Sequence, residues 1–193
     1  DGHDRPVPGA LVAVVHPHVG RAEARTHSGE DGRFEVEVTA GEYGITATAE
    51  GPAAAYQAPK SLDADQEQEL RMGGRGFTVS GHVTDDESAP VAGEAVQLVR
   101  ISRDVADLFF AETDAEGRYA ATLPPAESYQ VFVDSRELLG KAHSIEGDVD
   151  RTVDLSVFRQ GPAPGSVVEW IRANAIPLKT PEAGHGFDDM KPL

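Results

Sequence analysis

The stretch GEDGRFEVEV, residues 29–38, carries the pattern that decides the fold of this chain. Phe34, Val36 and Val38 alternate with charged residues, and a period of two is typical of a β-strand with one buried and one solvated face. Gly32 stands directly before this run, where a tight hairpin turn needs a residue that accepts a positive φ angle. The stretch therefore predicts a turn followed by a strand of an antiparallel sheet.

The same pattern returns at DAEGRYAATL, residues 114–123, and two other stretches are repeated in the same order. PVPGALVAVV at 6–15 corresponds to PVAGEAVQLV at 90–99, and GEYGITATA at 41–49 corresponds to ESYQVFVDS at 127–135. Matching residues lie 84 to 86 positions apart, as in the pairs Gly9 and Gly93, Gly32 and Gly117, and Tyr43 and Tyr129. Three blocks at nearly one spacing indicate an internal duplication of a unit of about 80 residues.

Short strands separated by glycine and proline turns predict an all-β chain of two tandem Ig-like β-sandwiches. Val153, Leu155 and Val157 alternate with polar neighbours and are the expected closing strand. We expect the domains to be residues 1–72 and 77–158, called the first and the second repeat from here on.

Both repeats resemble the carboxypeptidase regulatory-like domain, a transthyretin-like sandwich of seven strands. The second repeat matches the pattern whole, beginning with Val79, Gly81 and Val83. The first repeat matches without the first strand, whose counterpart is expected upstream of Asp1, in an N-terminal part that has been trimmed. An open sheet edge follows from this loss, which predicts a less stable first repeat and a weak homodimer through that edge. The fold itself suits spacer, foldase and adhesive roles alike.

Charge and composition restrict the partners. The formal net charge is −16, which argues against nucleic acid or an anionic membrane surface, because both need a basic footprint. The chain has no cysteine, so it forms no disulfide, thiolate metal site or cysteine nucleophile. No apolar run reaches the length of a membrane span, so we expect no membrane insertion.

Few residues are candidates for a chemical site, and we predict no cofactor and no catalytic residue. His16 and His18 lie two apart near a strand end and are the metal candidates, with His27 arriving from a paired strand. The alternative is a polar hairpin tip. The acidic clusters at 63–69, 85–87 and 146–150 lack the spacing of a calcium loop and are expected to be solvated loops.

The C-terminal part differs from the rest. RQGPAPG at 159–165 is the expected linker, and Ser166 and Glu169 then form a capping box that begins a short C-terminal helix. The apolar stripe of this helix includes Trp170 and Ile171 and needs a surface to pack on. That surface is either the second repeat or the rest of a further domain.

Residues 167–193, VVEWIRANAIPLKTPEAGHGFDDMKPL, resemble the opening of the erythromycin esterase family catalytic domain. The resemblance implies an ester-hydrolysing parent protein, although residues 166–193 end before the catalytic motif of that family. We therefore expect an accessory region that positions or tethers a missing C-terminal catalytic domain of an extracytoplasmic bacterial enzyme, periplasmic or secreted. Without that domain, residues 179–193 should be poorly ordered. The alternative is a β-sandwich module that binds a cell-surface polymer, a carbohydrate or a protein.

Overall fold

The computed structural model describes residues 5–17, 21–101, 106–133, 135 and 138–159. All of them belong to one compact unit, Asp1–Arg159. The predicted C-terminal helix with Ser166, Glu169, Trp170 and Ile171 lies outside the described residues, as do most of the predicted linker and the tail at 179–193.

Every regular element in the described part of the chain is a β-strand, which confirms the predicted all-β class with tandem sandwich repeats. The first repeat contributes four strands, namely β1 (Leu11–Val15), β2 (Ala22–His27), β3 (Gly41–Thr48) and β4 (Ala55–Leu62). The second repeat contributes nine, namely β5 (Phe77–Thr84), β6 (Ala95–Ile101), β7 (Ala106–Glu112), β8 (Arg118–Leu123), β9 (Ala126–Val133), β10 (Leu138–Gly140), β11 (His143–Gly147), β12 (Arg151–Thr152) and β13 (Leu155–Arg159). The described residues contain no helix that is long and apolar enough to span a bilayer.

The second repeat is a complete sandwich of two sheets. One sheet has the order β11-β9-β6-β7, and the other has the order β10-β13-β5-β12 with β8 also paired to β5. Strand β5 runs antiparallel to β8 and parallel to β12 and β13, so it pairs with every strand of its sheet except β10, which pairs with β13. Val79 and Val83 of β5 are fully buried against Phe109, Tyr129 and other residues of the facing sheet.

The first repeat has one regular sheet, of order β2-β1-β3-β4. Residues 33–38 keep an alternation of half-buried and exposed side chains but form no strand, so this part of the sequence-based prediction was wrong. The physical reason is visible in the second repeat, where the equivalent strand β8 pairs only with β5. The described residues of the first repeat contain no counterpart of β5, and alternating side chains alone do not make a ladder.

The turn before residues 33–38 was predicted correctly. Gly32 has a φ of 75° and Gly117 a φ of 74°, and each is the last residue of an equivalent four-residue turn in its own repeat. The amide of Gly32 donates to the carbonyl of Gly29 at 2.9 Å, and the amide of Gly117 donates to that of Asp114 at 2.9 Å. The local sequence therefore dictates the turn without help from the missing ladder.

The two faces of the first sheet have different neighbours. On one face Val12, Ile45, Ala47 and Ala55 form a small cluster, and the described residues that pack on it, Phe34, Leu70 and Met72, have irregular backbone. On the other face the sheet packs on the second repeat. The side chains of Leu11, Ala13 and Val15 are buried there against Ala95 and Phe110.

Hydrogen bonds reinforce this junction between the repeats. The hydroxyl of Thr48 donates to the carbonyl of Phe110. The backbone of Thr122 accepts from the amide of Ala54 at 2.8 Å and donates to the carbonyl of Ala49 at 3.1 Å. The Thr122 hydroxyl oxygen accepts from the amide of Gly51 at 3.0 Å. Apolar contacts and hydrogen bonds together make the two repeats parts of one packed body.

Candidate functional site

A groove of about 360 Å³ lies in the first repeat, over the sheet face that irregular backbone covers. Its floor is apolar and its rim is charged and polar. The lining residues are Arg5, Pro6, Val7, Ala10, Val12, Ser28, Asp31, Gly32, Phe34, Ala47, Glu69, Leu70, Arg71 and Met72. We call this cavity the strand groove, because the corresponding place in the second repeat holds a strand.

The duplication shows what occupies the same place in the second repeat. There the amide of Val83 donates to the carbonyl of Gly117 at 2.8 Å, and the carbonyl of Val83 accepts from the amide of Val91 at 2.9 Å. The counterparts of Gly117 and Val91 are Gly32 and Val7, and both line the strand groove. The groove is therefore the position that the C-terminal half of β5 fills in the second repeat.

The opposite wall of the groove confirms this equivalence. LDADQEQELRM at 62–72 aligns with GDVDRTVDLSV at 147–157, a stretch that contains β12 and the first residues of β13. In the second repeat the residues of this stretch lie beside β5, with Leu155 paired to Val83. The counterpart of Leu155 is Leu70, which lines the groove without such a neighbour among the described residues.

Two carboxylates hold β5 in the second repeat. An oxygen of Asp150 accepts from the amide of Thr78 at 2.7 Å, and an oxygen of Asp154 accepts from the amide of His82 at 3.0 Å. Hydrogen bonds from backbone amides to a charged acceptor are stronger than neutral ones. In the first repeat acidic residues are kept at both aligned positions, as Asp65 and Glu69.

A glycine in β5 is required by close packing. A Cβ atom at Gly81 would lie 2.0 Å from the carbonyl oxygen of Val153 and 3.2 Å from the ring of Tyr119. The Tyr119 hydroxyl donates to the same carbonyl at 2.7 Å. Burial raises the pKa of Tyr119 above its usual range, and the Asp154 carboxylate raises it further. The first repeat has Phe34 in place of Tyr119, at the floor of the groove.

A second cavity, of about 530 Å³, lies at the junction between the repeats. Tyr56 and Gln57 approach it from the first repeat, and Arg100 and Phe109 approach it from the second. The Arg100 guanidinium forms an ion pair with the buried carboxylate of Asp107, so its charge is already compensated. Burial raises the pKa of Tyr56, although the Arg100 charge partly opposes this, so the phenol stays neutral at physiological pH.

The predicted histidine pair is not assembled within the described residues. The ring of His16 packs edge-on against Tyr43, with ring centroids 5.9 Å apart, and His18 lies outside the described residues. His27 pairs with Leu11 at the far end of the β1–β2 ladder, so it does not join His16. Among the described side chains no group of three potential ligands is placed to hold a metal ion.

Acidic residues of the loops have structural roles instead. An oxygen of Asp85 accepts from the amides of Glu87 and Ala89, at 3.0 Å and 2.8 Å. Asp114 accepts from the backbone and the guanidinium of Arg118, and these hydrogen bonds lower the pKa of its carboxyl group. The carboxylates of Asp85 and Asp114 therefore stabilise turns, and neither belongs to a group of three described potential metal ligands.

Sequence reasoning missed the groove and the carboxylates that hold β5. The alignment of 62–72 with 147–157 could have pointed to these carboxylates. Its meaning is clear only once the structure shows which amides Asp150 and Asp154 bind. A carboxylate that caps a strand of the same sheet looks the same, in sequence, as a solvated loop residue.

The model of the carboxypeptidase regulatory-like domain matches residues 1–72 and 78–158. No curated protein matches the chain. Among solved structures, the shaft pilin SpaA from Lactobacillus rhamnosus GG is 8% identical, with a TM-score of 0.34, over 83% of this chain and 91% of that one. The minor pilin GBS52 from Streptococcus agalactiae is 15% identical, with a TM-score of 0.30, over 82% and 86%.

Proposed function

We propose, from the premise that this chain belongs to the carboxypeptidase regulatory-like domain family, that its two repeats are a non-catalytic accessory region that holds an attached domain at a fixed position. The observation that carries the proposal is the junction. An accessory region fixes a position only if its own parts do not move against each other. The buried contacts of Leu11, Ala13 and Val15 with Ala95 and Phe110 supply that rigidity.

The hydrogen bonds at the junction support the same function. Relative motion of domains is the ordinary expectation where an interface is small and polar. Here Thr48 and Thr122 connect the backbones of the two repeats, next to the apolar contacts. Separating the repeats would expose the apolar side chains and leave the hydrogen-bonding groups of Thr48 and Thr122 to water.

Nuclear spin relaxation of the backbone amides tests rigidity directly. We expect one rotational correlation time for both repeats of the 193-residue chain. Ala13→Asp places a charge in the junction and is expected to separate the two values, while the spectrum of the second repeat is retained. Two different correlation times in the unaltered chain would contradict the proposal.

We further propose that the attached domain is an ester hydrolase similar to erythromycin esterase, and that the protein works outside the bacterial cytoplasm, in the periplasm or after secretion. This part rests on the resemblance of residues 167–193, which lie outside the described residues. Immunodetection in fractionated cells of the source organism tests the location, and a purely cytoplasmic signal would contradict it.

Hydrolysis assays test whether the accessory region itself is without ester-hydrolysing activity. The 193-residue chain should release p-nitrophenol from p-nitrophenyl esters at the rate of buffer alone, and should leave macrolides intact. The physical reason is that the described residues bring together no nucleophile and base. Turnover clearly above the buffer rate would show that the accessory interpretation is wrong.

A further inference from the structure

The second cavity, which we call the junction cavity, takes no part in the function proposed above. Its apolar lining residues are Ala54, Ala55, Leu70, Phe109 and Pro124, and its polar ones are Tyr56, Gln57, Glu69, Arg71 and Arg100. The volume of about 530 Å³ lies within the range of small-molecule sites in proteins, which combine apolar walls with a few polar groups. The junction cavity therefore has the size and the composition of a ligand site.

Two polar atoms without a partner belong to residues that line this cavity. The described part of the chain has three buried side-chain oxygen or nitrogen atoms without a hydrogen-bond partner, and two of them are Gln57 Oε1 and Arg100 Nε. The third, Thr46 Oγ1, belongs to a residue outside the cavity lining. Buried polar groups in proteins are nearly always paired, because an unmade hydrogen bond destabilises the fold. A ligand that supplies a donor to Gln57 and an acceptor to Arg100 recovers this loss.

The hydrogen bonds of the same two side chains determine which of them can turn toward a ligand. Nε2 of Gln57 donates to Oε1 of Gln68 at 3.3 Å, which is long for a hydrogen bond and therefore weak. A terminal nitrogen of Arg100 donates to the carboxylate of Asp107, so the guanidinium is held in place. Since Gln57 Oε1 is covered by its neighbours, we expect the Gln57 amide to rotate into the cavity when a ligand binds.

The charges around the cavity are compensated, which favours a neutral ligand. Arg100 is paired with the buried carboxylate of Asp107, and Arg71 is paired with Glu69 at 2.9 Å. An ion that entered the cavity would lose hydration without meeting an unpaired opposite charge among the described lining residues. Tyr56 adds an apolar ring with a hydroxyl group that can donate and accept.

We propose that the junction cavity binds one neutral sugar unit, with its hydroxyl groups on Gln57 and Arg100 and its apolar face on the ring of Tyr56. A hydroxyl group both donates and accepts, so neighbouring hydroxyls of a sugar supply the donor and the acceptor that the two side chains lack. The site needs both repeats, because Gln57 and Tyr56 come from the first and Arg100 from the second. The proposal does not depend on the accessory function proposed above.

NMR titration of the isotope-labelled 193-residue chain tests the proposal, with the methyl glycosides of glucose and of N-acetylglucosamine as probes. We expect the Arg100 Nε–H and the Gln57 side-chain amide signals to shift and to saturate in the millimolar range with at least one probe. A response to both probes assigns recognition to the shared hydroxyl groups. A response to the acetylated probe alone adds the acetamido group to the recognised features.

A pair of variants tests the role of Gln57. Gln57→Met removes the acceptor while keeping a side chain of similar length, and should weaken binding of the sugar by about fivefold or more. The matched control is Gln130→Met, which makes the same change at a partly buried glutamine outside the cavity lining and should leave the affinity unchanged. The titration of the unaltered chain gives its result whether or not Gln57→Met folds.

Three outcomes would overturn the proposal. No shift of the Arg100 Nε–H signal with either sugar at tens of millimolar would mean that the cavity takes up water only. Equal losses of affinity in Gln57→Met and Gln130→Met would mean that the sugar binds elsewhere. A triglycine peptide blocked at both ends, if it shifted the Arg100 and Gln57 signals at lower concentration than the sugars, would identify the cavity as a peptide site.

Discussion

The first and the second repeat are built from one sequence pattern, but the described residues of the first repeat contain no counterpart of β5 and fewer strands in all. Both have an equivalent glycine turn, at Gly32 and Gly117, and a buried tyrosine in corresponding strands, Tyr43 in β3 and Tyr129 in β9. Yet within the described residues the second repeat has two sheets and the first has one. The difference shows that one central strand, β5, organises a whole sheet of the second repeat. Because β5 is the ladder partner of β8, β12 and β13, a repeat without it loses the order of a whole sheet.

The largest expected effect comes from removing the aromatic ring at the equivalent position of each repeat. Tyr119→Ala deletes a fully packed side chain and should lower the free energy of unfolding by about 3–5 kcal/mol. Phe34→Ala at the counterpart position should cost only about 1 kcal/mol, because the ring is half-buried at an open groove. Urea denaturation measures both, and similar losses would mean that the groove is as well packed as the second core.

A smaller effect is expected at Gly81. Gly81→Ala should cost about 3 kcal/mol, because the new methyl group meets the Val153 carbonyl and the strand must move away. Ser80→Ala, at the neighbouring position on the other face of β5, is the control and should change stability by less than about 0.5 kcal/mol. Equal effects would contradict the view that close approach of β5 to its neighbours holds the second repeat together.

A still smaller effect is the loss of stability that we expect at alkaline pH from a buried tyrosine in the core of the second repeat. Burial raises the pKa of Tyr129 to about 12, and its hydroxyl donates to the carbonyl of Pro124 at 2.7 Å. An unfolded tyrosine ionises near pH 10, so between pH 10 and 12 the unfolded state releases its proton first and stability falls. We expect a loss of up to about 2 kcal/mol over this window.

The control for that prediction is Tyr129→Phe. The variant is expected to be less stable at pH 7, since it lacks one hydrogen bond, but its stability should decline less between pH 10 and 12. Urea unfolding at several pH values measures the slope. An unchanged slope in the variant would show that Tyr129 does not cause the alkaline loss.

The sequence predicted most of the fold because its signals are local. Alternation, glycine turns and the duplication are visible in the sequence itself, and together they led to the correct all-β class with tandem sandwich repeats. Residues 33–38 were predicted wrongly because a strand exists only in a ladder, and the partner of this one is not local. The strand groove was missed for the same reason, since its walls are 35 residues apart in sequence and lie together only in the folded sheet.

The candidate site was predictable to a smaller extent. Comparing Val79, Gly81 and Val83 with the start of the first repeat shows that residues 5–17 hold no counterpart of β5. The roles of Asp150 and Asp154 did not follow, because an acidic residue on a loop gives no sign of which amide it reaches. The metal candidates stay a prediction for His16 with His18, while the register of β1 and β2 removes His27 from that site.

Native-state hydrogen exchange of the 193-residue chain tests the central claim most directly, by comparing the amides of residues 33–38 with those of 118–123. We predict that the first set exchanges about 100-fold faster or more, since β8 is paired along its length with β5 and residues 33–38 belong to no ladder. Comparable protection in the two sets would contradict the account, because it would mean that the first repeat forms its second sheet without a counterpart of β5.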